Sequence, residues 1–218
     1  MTVKKRKEYL KYLGFYKGTI DSKVNAEYNK AIKDIQNKYF FRKKDKDGKA
    51  GKNTDILIES AYNVKRYAPH FDLLNDKLYC HCKGKYCTGY PVVINKNMLI
   101  NLENERAYSG ATTVNSMLRC KKWNESSGGV RGSKHTKGKA VDFQNKNTST
   151  LKERKKTVDR WIKMKHSSYS YCNGYGRTNF RTTHPTVKTM GSTVHGDVSW
   201  FKYLIKELQL HHIAISII

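Results

Sequence analysis

The sequence predicts an α+β protein in which a small, all-helical N-terminal unit precedes a larger unit with an antiparallel sheet. Two observations carry this prediction. The first third of the chain contains three stretches in which apolar residues recur at helical spacing. After it, helical stretches and short segments of alternating apolar and polar residues follow one another in mixed order. A length of 218 residues suits one large domain or two small ones.

The three N-terminal helices are predicted over residues 3–13, over residues 25–39, and onward from an N-cap at Asn53 or Thr54. Gly14 is expected to end the first helix, because glycine readily adopts the left-handed conformation found at helix ends. The apolar face of the second helix contains five residues: Tyr28, Ala31, Ile32, Ile35 and Tyr39. Three short helices can bury only a small core, so this unit should be marginally stable.

Three segments connect these helices to a known kind of domain. They are LKYLGFYKGTID at residues 10–21, AIKDIQ at residues 31–36 and DGKAGKNT at residues 47–54. Their order resembles the three-helix peptidoglycan-binding domain, although Ser22 and Ile35 stand where that family usually has glycine and phenylalanine. The resemblance implies that the helical unit binds peptidoglycan.

We therefore expect a peptidoglycan-binding domain at residues 1–66, a linker at residues 67–76 and a second domain at residues 77–218. The second domain is predicted to contain two helices, three strands and two long loops. The helices cover 97–108 and 150–165, the strands cover 112–114, 140–143 and 193–200, and the loops cover 117–124 and 167–183.

The chain is strongly basic, with a net charge of +25 from 43 basic and 18 acidic residues, which predicts attraction to polyanions. Nucleic acid is the common polyanion, and an anionic cell wall or membrane surface is the alternative. The sequence has no helix-turn-helix, zinc-finger or RNA-recognition signature, and lysine outnumbers arginine, the preferred reader of bases. We therefore expect no specific nucleic-acid partner.

The N-terminus is basic, but no continuous apolar stretch follows it, so we expect no secretory signal and synthesis in a cytoplasm. No segment approaches the ~20 apolar residues that a transmembrane helix needs, so we expect no membrane span.

Five cysteines are an odd number, which argues against a fully paired disulfide framework. Three of them lie close together in the sequence, at Cys80, Cys82 and Cys87, and Cys120 follows later. These four could hold a structural metal, although the spacing matches no usual zinc-ribbon pattern. They could equally be buried apolar side chains or form one disulfide, and the sequence leaves the choice open.

The candidate catalytic residues lie in residues 128–143, GGVRGSKHTKGKAVDF, where His135 and Asp142 stand seven residues apart. Imidazole and carboxylate groups are zinc ligands, and a catalytic zinc usually takes three protein ligands and leaves one position open. Downstream, His195 is a candidate for the third ligand. Glycine and alanine at 138 and 140 would let the chain approach a metal closely.

Strand alternation places these side chains. In residues 140–143, Asp142 points away from the apolar Val141 and Phe143. In residues 193–198, His195 and Asp197 share one face and the two valines share the other. If the two strands are neighbours, Asp142 and His195 project from the same side of one sheet.

The segment SKHTKGKAVD at residues 133–142, with HGD at residues 195–197, resembles the zinc peptidases that cut peptidoglycan stem peptides. That group includes D-alanyl-D-alanine carboxypeptidases and the L-alanyl-D-glutamate endopeptidases of phage endolysins, and it shares its fold with the hedgehog signalling domain. Further similarity lies in VNSMLRCKKWN at residues 114–124 and SGGV at residues 127–130.

This resemblance implies a hedgehog-like second domain with one bound zinc ion. The implied zinc ligands are His135, Asp142 and His195. Arg119 matches the arginine that steadies the developing oxyanion in that family, a role suited to a rigid, permanently charged guanidinium. Ser133 and Asn124 lie in the matching segments, and we expect them to contact the substrate.

The general base is the point at which this sequence departs from many members of the group. They carry an acid three residues before the last zinc histidine, and this chain has Ser192 there, which cannot act as a base. Asp197 follows the histidine by two residues on the same face. It could be the base or could orient a ligand histidine, and the two roles remain open.

We therefore expect a monomeric, zinc-dependent peptidoglycan endopeptidase of the phage endolysin type, made in a host cytoplasm and acting on the bacterial cell wall after release. The alternatives are a D-Ala-D-Ala carboxypeptidase and a wall-binding protein without catalytic activity, which the serine at position 192 would suit.

Overall fold

The computed structural model describes residues 1–178 and 192–198, together with the backbone of residues 182–183. Within them the chain forms six α-helices: α1 (Val3–Leu13), α2 (Ala26–Tyr39), α3 (Lys52–Tyr67), α4 (Lys96–Ser109), α5 (Lys121–Ser126) and α6 (Leu151–Lys163). Six strands accompany them: β1 (Thr112–Ser116), β2 (Ala140–Asn145), β3 (Ser167–Cys172), β4 (Tyr175–Thr178), β5 (Thr182–Thr183) and β6 (Val194–Val198). None of the helices in this part of the chain is long and apolar enough to cross a membrane.

The six strands form one sheet in the order β1-β2-β6-β3-β4-β5, and all neighbouring pairs are antiparallel. The predicted α+β class with an antiparallel sheet is confirmed. β6 fills the gap between β2 and β3, although it follows both in sequence. Helix α6 packs against this sheet, where a Cβ added to Gly196 of β6 would lie 2.2 Å from the Trp161 ring. The close packing explains why β6 carries a glycine between His195 and Asp197.

The three predicted N-terminal helices are present, with small differences at their ends. Helix α3 begins after Gly51, before the predicted caps at Asn53 and Thr54. The Thr54 hydroxyl is buried and instead accepts a hydrogen bond from Nε2 of Gln36 on α2, at 3.0 Å. It therefore joins two helices and does not cap one.

Residues 68–95 connect α3 to α4 without forming a helix or strand, yet much of this segment is buried. Ala68, Phe71 and Leu73 are each at most 6% exposed, so the predicted linker packs into the core. Hydrogen bonds fix its far end to α3, because the Asn63 side chain donates to the Ile94 carbonyl at 2.9 Å. The proposed division of the chain into two domains remains a prediction.

Both predicted long loops need correction. Helix α5 occupies part of residues 117–124, and residues 167–178 form the β3–β4 hairpin. The hairpin turns at Asn173 and Gly174, whose φ angles are 21° and 75°. Such a pair matches a two-residue hairpin turn with left-handed residues, and Asn-Gly is its usual sequence. The last strand ends at Val198 in the described residues, and the predicted end at Trp200 lies outside them.

Candidate metal centre

Three chain segments bring His135, Asp142 and His195 together. His135 lies in a 3-10 turn that ends at Gly138, where φ is 65° and an added Cβ would lie 2.3 Å from the Val93 carbonyl oxygen. Asp142 on β2 stands directly opposite His195 on β6 in the sheet register. One ligand atom from each residue lies within 4.8 Å of the other two. The two strands are neighbours, which is the condition under which the sequence placed Asp142 and His195 on one side of the sheet.

The three side chains are nearly buried, with exposures of 3%, 7% and 6% for His135, Asp142 and His195. Nδ1 of His135 lies 2.8 Å from the Met117 carbonyl oxygen, which can only accept, so this nitrogen carries the proton and Nε2 has the free lone pair. Nε2 lies 3.3 Å from Oδ2 of Asp142. On the other side, Nδ1 of His195 lies 2.7 Å from Oδ1 of Asp142.

These contacts determine the charges in the cluster. Burial would raise the pKa of Asp142, but its contacts with His135 and His195 hold it well below its usual value, so the carboxylate is ionised. Burial lowers the pKa of His135. Burial would also lower the pKa of His195, but the hydrogen bond to Asp142 and the nearby negative charge of Asp197 raise it to about 9. Binding of a metal at these side chains would require His195 to give up its proton.

The donor set fits zinc. Two imidazoles and one carboxylate form the kind of three-residue set that catalytic zinc uses, and the carbonyl partner of His135 holds its ring in the tautomer that a metal ligand needs. The three residues that the sequence predicted as ligands are therefore able to hold one ion.

Arg119 lies at the edge of this cluster and is half-buried. Its Nη2 donates to Oδ2 of Asp142 at 2.8 Å, and its Nε donates to the Ser116 hydroxyl at 3.0 Å. Its backbone N–H donates to the His135 carbonyl at 3.3 Å. Two hydrogen bonds thus fix the guanidinium beside the metal ligands, and the third fixes the backbone that carries it.

Asp197 is 5% exposed and faces the same cavity. The Ser168 hydroxyl donates to its Oδ1 at 2.5 Å, while its Oδ2 lies 3.9 Å from Nε2 of His195. The Trp161 indole donates to the Asp197 carbonyl at 3.4 Å. One carboxylate oxygen is therefore held in place, and the other points towards the ligand histidine without a close hydrogen bond to it.

The other predicted site residues occupy different positions. Ser133 lines the cavity around the three ligands. Asn124 is 4% exposed, and its amide donates to the Val130 carbonyl at 3.0 Å, so it supports the loop that forms one wall of the cavity. Its predicted contact with the substrate remains a prediction. Ser192 is exposed and bonds to Gln144 at 3.0 Å.

The cavity has a volume of about 380 Å³, and two residues in its lining were missed from the sequence. Tyr169 and Tyr171 project from β3, and the Tyr171 ring stacks on His195 with a centroid separation of 4.6 Å. Burial raises the pKa of Tyr171, so its hydroxyl keeps its proton. The Asn-Gly turn after this strand was the signal that could have revealed both tyrosines.

Comparison with known proteins gives one match. The family model described as Peptidase M15 matches residues 72–181, a segment that contains His135 and Asp142 and ends before His195. No curated protein and no solved structure matches the chain. The helices and antiparallel sheet agree with the hedgehog-like fold of these zinc-dependent peptidases. Because the matched segment spans half of the chain and includes two of the clustered ligands, the chain belongs to the peptidase M15 family.

Proposed function

We propose that the protein is a zinc-dependent endopeptidase that cleaves the stem peptide of bacterial peptidoglycan. The observation that supports this most directly is the meeting of His135, Asp142 and His195 with Arg119 and Asp197 around one cavity. Metal ligands, a fixed cation and a carboxylate are the groups that metal-assisted amide hydrolysis uses.

The two histidines and Asp142 hold the metal in this proposal. Asp142 also keeps Arg119 in position through the 2.8 Å contact. Bound zinc supplies Lewis-acid chemistry, because it polarises a carbonyl group and lowers the pKa of water.

Arg119 donates to the oxygen on which negative charge develops when water attacks the peptide carbonyl. Its Nε is already bonded to Ser116, so the plane of the guanidinium is fixed before the substrate binds. A donor that needs no rearrangement during the reaction is the most effective kind of electrostatic catalyst.

Asp197 is the general base in this proposal. Ser168 holds one of its oxygens, which leaves Oδ2 to take a proton from the attacking water. The alternative role, orientation of His195, has less support, because Oδ2 is 3.9 Å from Nε2 and no hydrogen bond joins them.

The N-terminal helices are proposed to hold the enzyme on the cell wall. Their segments resemble peptidoglycan-binding domains, and the net charge of +25 suits a wall that carries phosphate and carboxylate groups. An enzyme anchored to polymeric wall is suited to cutting cross-links, which favours an endopeptidase of the endolysin type. Removal of a terminal D-Ala would leave the cross-links intact.

The test is digestion of purified peptidoglycan by the full chain, with and without a chelator, and identification of the products by mass spectrometry. New L-Ala or D-Glu termini that disappear with the chelator and with His195→Ala would support the endopeptidase. Free D-Ala would identify a carboxypeptidase instead. Unchanged peptidoglycan in the presence of zinc would leave only the non-catalytic wall-binding alternative.

A further inference from the structure

A second group of possible metal ligands lies outside the site just described. The Sγ atoms of Cys80, Cys82, Cys87 and Cys120 all lie within 4.8 Å of one another. Cys80 and Cys82 are buried, and the other two are half-buried. Three come from the irregular segment between α3 and α4, and the fourth comes from the residue that precedes α5. Four thiols from two separate parts of the chain thus point at one position.

The spacing of these sulfur atoms suits a tetrahedral metal better than a disulfide. A zinc–sulfur distance of about 2.3 Å places the sulfurs of a tetrahedral site about 3.8 Å apart. Sγ of Cys82 and Sγ of Cys87 lie 3.4 Å apart, close to that value. A disulfide needs about 2.05 Å and would use only two of the four sulfurs.

Backbone N–H groups are already aimed at the sulfur atoms. The N–H of Cys120 donates to Sγ of Cys80 at 3.3 Å, and the N–H of Gly89 donates to Sγ of Cys87 at 3.4 Å. Outer hydrogen bonds of this kind orient metal ligands and stabilise negative charge on them. The Arg42 side chain lies beside the loop, where a Cβ on Gly84 would lie 3.0 Å from its Cγ, and its guanidinium is paired with Asp45.

The segment that carries three of the cysteines needs a stabilising device. Residues 68–95 form no helix or strand, and irregular stretches of this length are uncommon in compact domains. The backbone hydrogen bonds inside the loop are short-range, such as the one from the Cys80 N–H to the Gly89 carbonyl, at 2.7 Å. A metal bound by four side chains fixes such a segment without a large apolar core.

We propose that Cys80, Cys82, Cys87 and Cys120 bind one structural zinc ion, separate from the ion at His135, Asp142 and His195. All four positions of this second site are filled by protein, so it has no open position for a substrate. The thiols lose their protons as the metal binds, and no oxidant or reductant is needed. This inference does not depend on the proposed peptidase activity.

The second site would also support the first. Cys120 directly follows Arg119 and is the N-cap residue of α5. A metal that holds Cys120 against the irregular segment therefore fixes the backbone beside the arginine. The structural zinc would connect residues 68–95 to Cys120, which stands next to Arg119 in the lining of the catalytic cavity.

The test uses the full chain, produced with zinc and purified under reducing conditions without a chelator. Elemental analysis should find two zinc ions per chain. His195→Ala should keep the ion bound by the four cysteines and lose the ion at His135, Asp142 and His195. Cys120→Ser should lose the ion bound by the cysteines and keep the other. Cys172→Ala is the matched control, because Cys172 is buried and free but lies outside the cluster, and it should retain both ions.

Cobalt substitution gives an independent reading on the folded wild-type chain. Four thiolate ligands should produce an intense thiolate-to-cobalt absorption that His195→Ala keeps and Cys120→Ser loses.

Loss of the structural ion should lower Tm by about 10 °C. A shift of this size is expected in a chain of this length when the ion is present far above its Kd. A zinc content that Cys120→Ser leaves unchanged, or a Cys82–Cys87 disulfide found by peptide mapping, would overturn the proposal.

Discussion

Asp142 is the residue on which the other side chains of the catalytic cavity converge. Its two oxygens contact His135, His195 and Arg119 at distances between 2.7 and 3.3 Å. Arg119 is a cation and His195 donates a hydrogen bond, so the carboxylate keeps its charge despite being almost buried. The positions of Arg119, His135 and His195 are therefore all set by contacts with one carboxylate, that of Asp142.

Asp197→Asn should separate the two roles considered for this residue. Asparagine keeps the size and can still accept from Ser168, but it cannot take a proton at pH 7. We expect kcat on peptidoglycan fragments to fall by about 10²–10⁴-fold, the usual contribution of a general base. Zinc content, measured in the same preparation, should stay unchanged. A loss of zinc together with activity would assign Asp197 to positioning His195.

Arg119→Lys should lower kcat while KM changes little. Lysine keeps the positive charge but cannot bond to Ser116 and Asp142 together, so the donor is no longer held in place. The expected loss in kcat is about 10²–10³-fold, as for removal of one oxyanion donor. Steady-state kinetics would check it, with Arg131→Lys, elsewhere in the cavity lining, as the control. Equal losses in both variants would contradict a specific role for Arg119.

Among the secondary-structure elements, the five-residue strand β6 carries two residues of the site. It carries His195 and Asp197, with Gly196 between them against the Trp161 ring of α6. The face that holds the site and the face that packs on the helix therefore alternate along one short strand. A change on the packing face should disturb the two functional residues beside it.

Gly196→Ala should destabilise the protein and weaken zinc binding. The added methyl group would lie 2.2 Å from the Trp161 ring, so strand and helix must move apart. Overpacking of this kind costs about 1–3 kcal/mol. Denaturant unfolding would measure it. Gly51→Ala is the control, because its Cβ meets nothing within 4 Å, and it should change stability by less than about 1 kcal/mol.

The helices and strands show how much of the fold could be predicted from the sequence. Apolar periodicity and caps located five of the six described helices to within a few residues, and strand alternation placed Asp142 and His195 on one face. Tyr169 and Tyr171 were missed because serine and tyrosine alternate in β3 without aliphatic residues, so the strand resembled a polar loop. The meeting of Cys120 with Cys80 depends on contacts distant in sequence, which periodicity does not encode.

Over the whole molecule, the N-terminal helices and the sheet share one core. The Ser60 hydroxyl accepts from the Ile94 N–H at 3.2 Å, and the rings of Tyr39 and Tyr90 meet edge to face at 6.4 Å. Buried residues continue from α1 through the irregular segment to β6. The helices are therefore part of the support of the peptidase, whatever they bind.

Deletion of residues 1–66 should leave a chain that unfolds at much lower temperature than the full protein or aggregates. The deletion would expose the apolar side chains that α3 now covers and would remove the partners of Ile94. Calorimetry and light scattering would check this. Cooperative unfolding of the truncated chain at the temperature of the full protein would instead establish two independent domains.

The position of β6 has a consequence for the order of events during synthesis. Strands β1 and β2 form one half of the sheet and β3 to β5 form the other, and the two halves meet only across β6. While a ribosome is still making the chain, the earlier strands emerge with an open slot between them, and the last metal ligand is still missing. Under the proposed function, the site is therefore complete only once β6 has been made and has paired with both halves of the sheet.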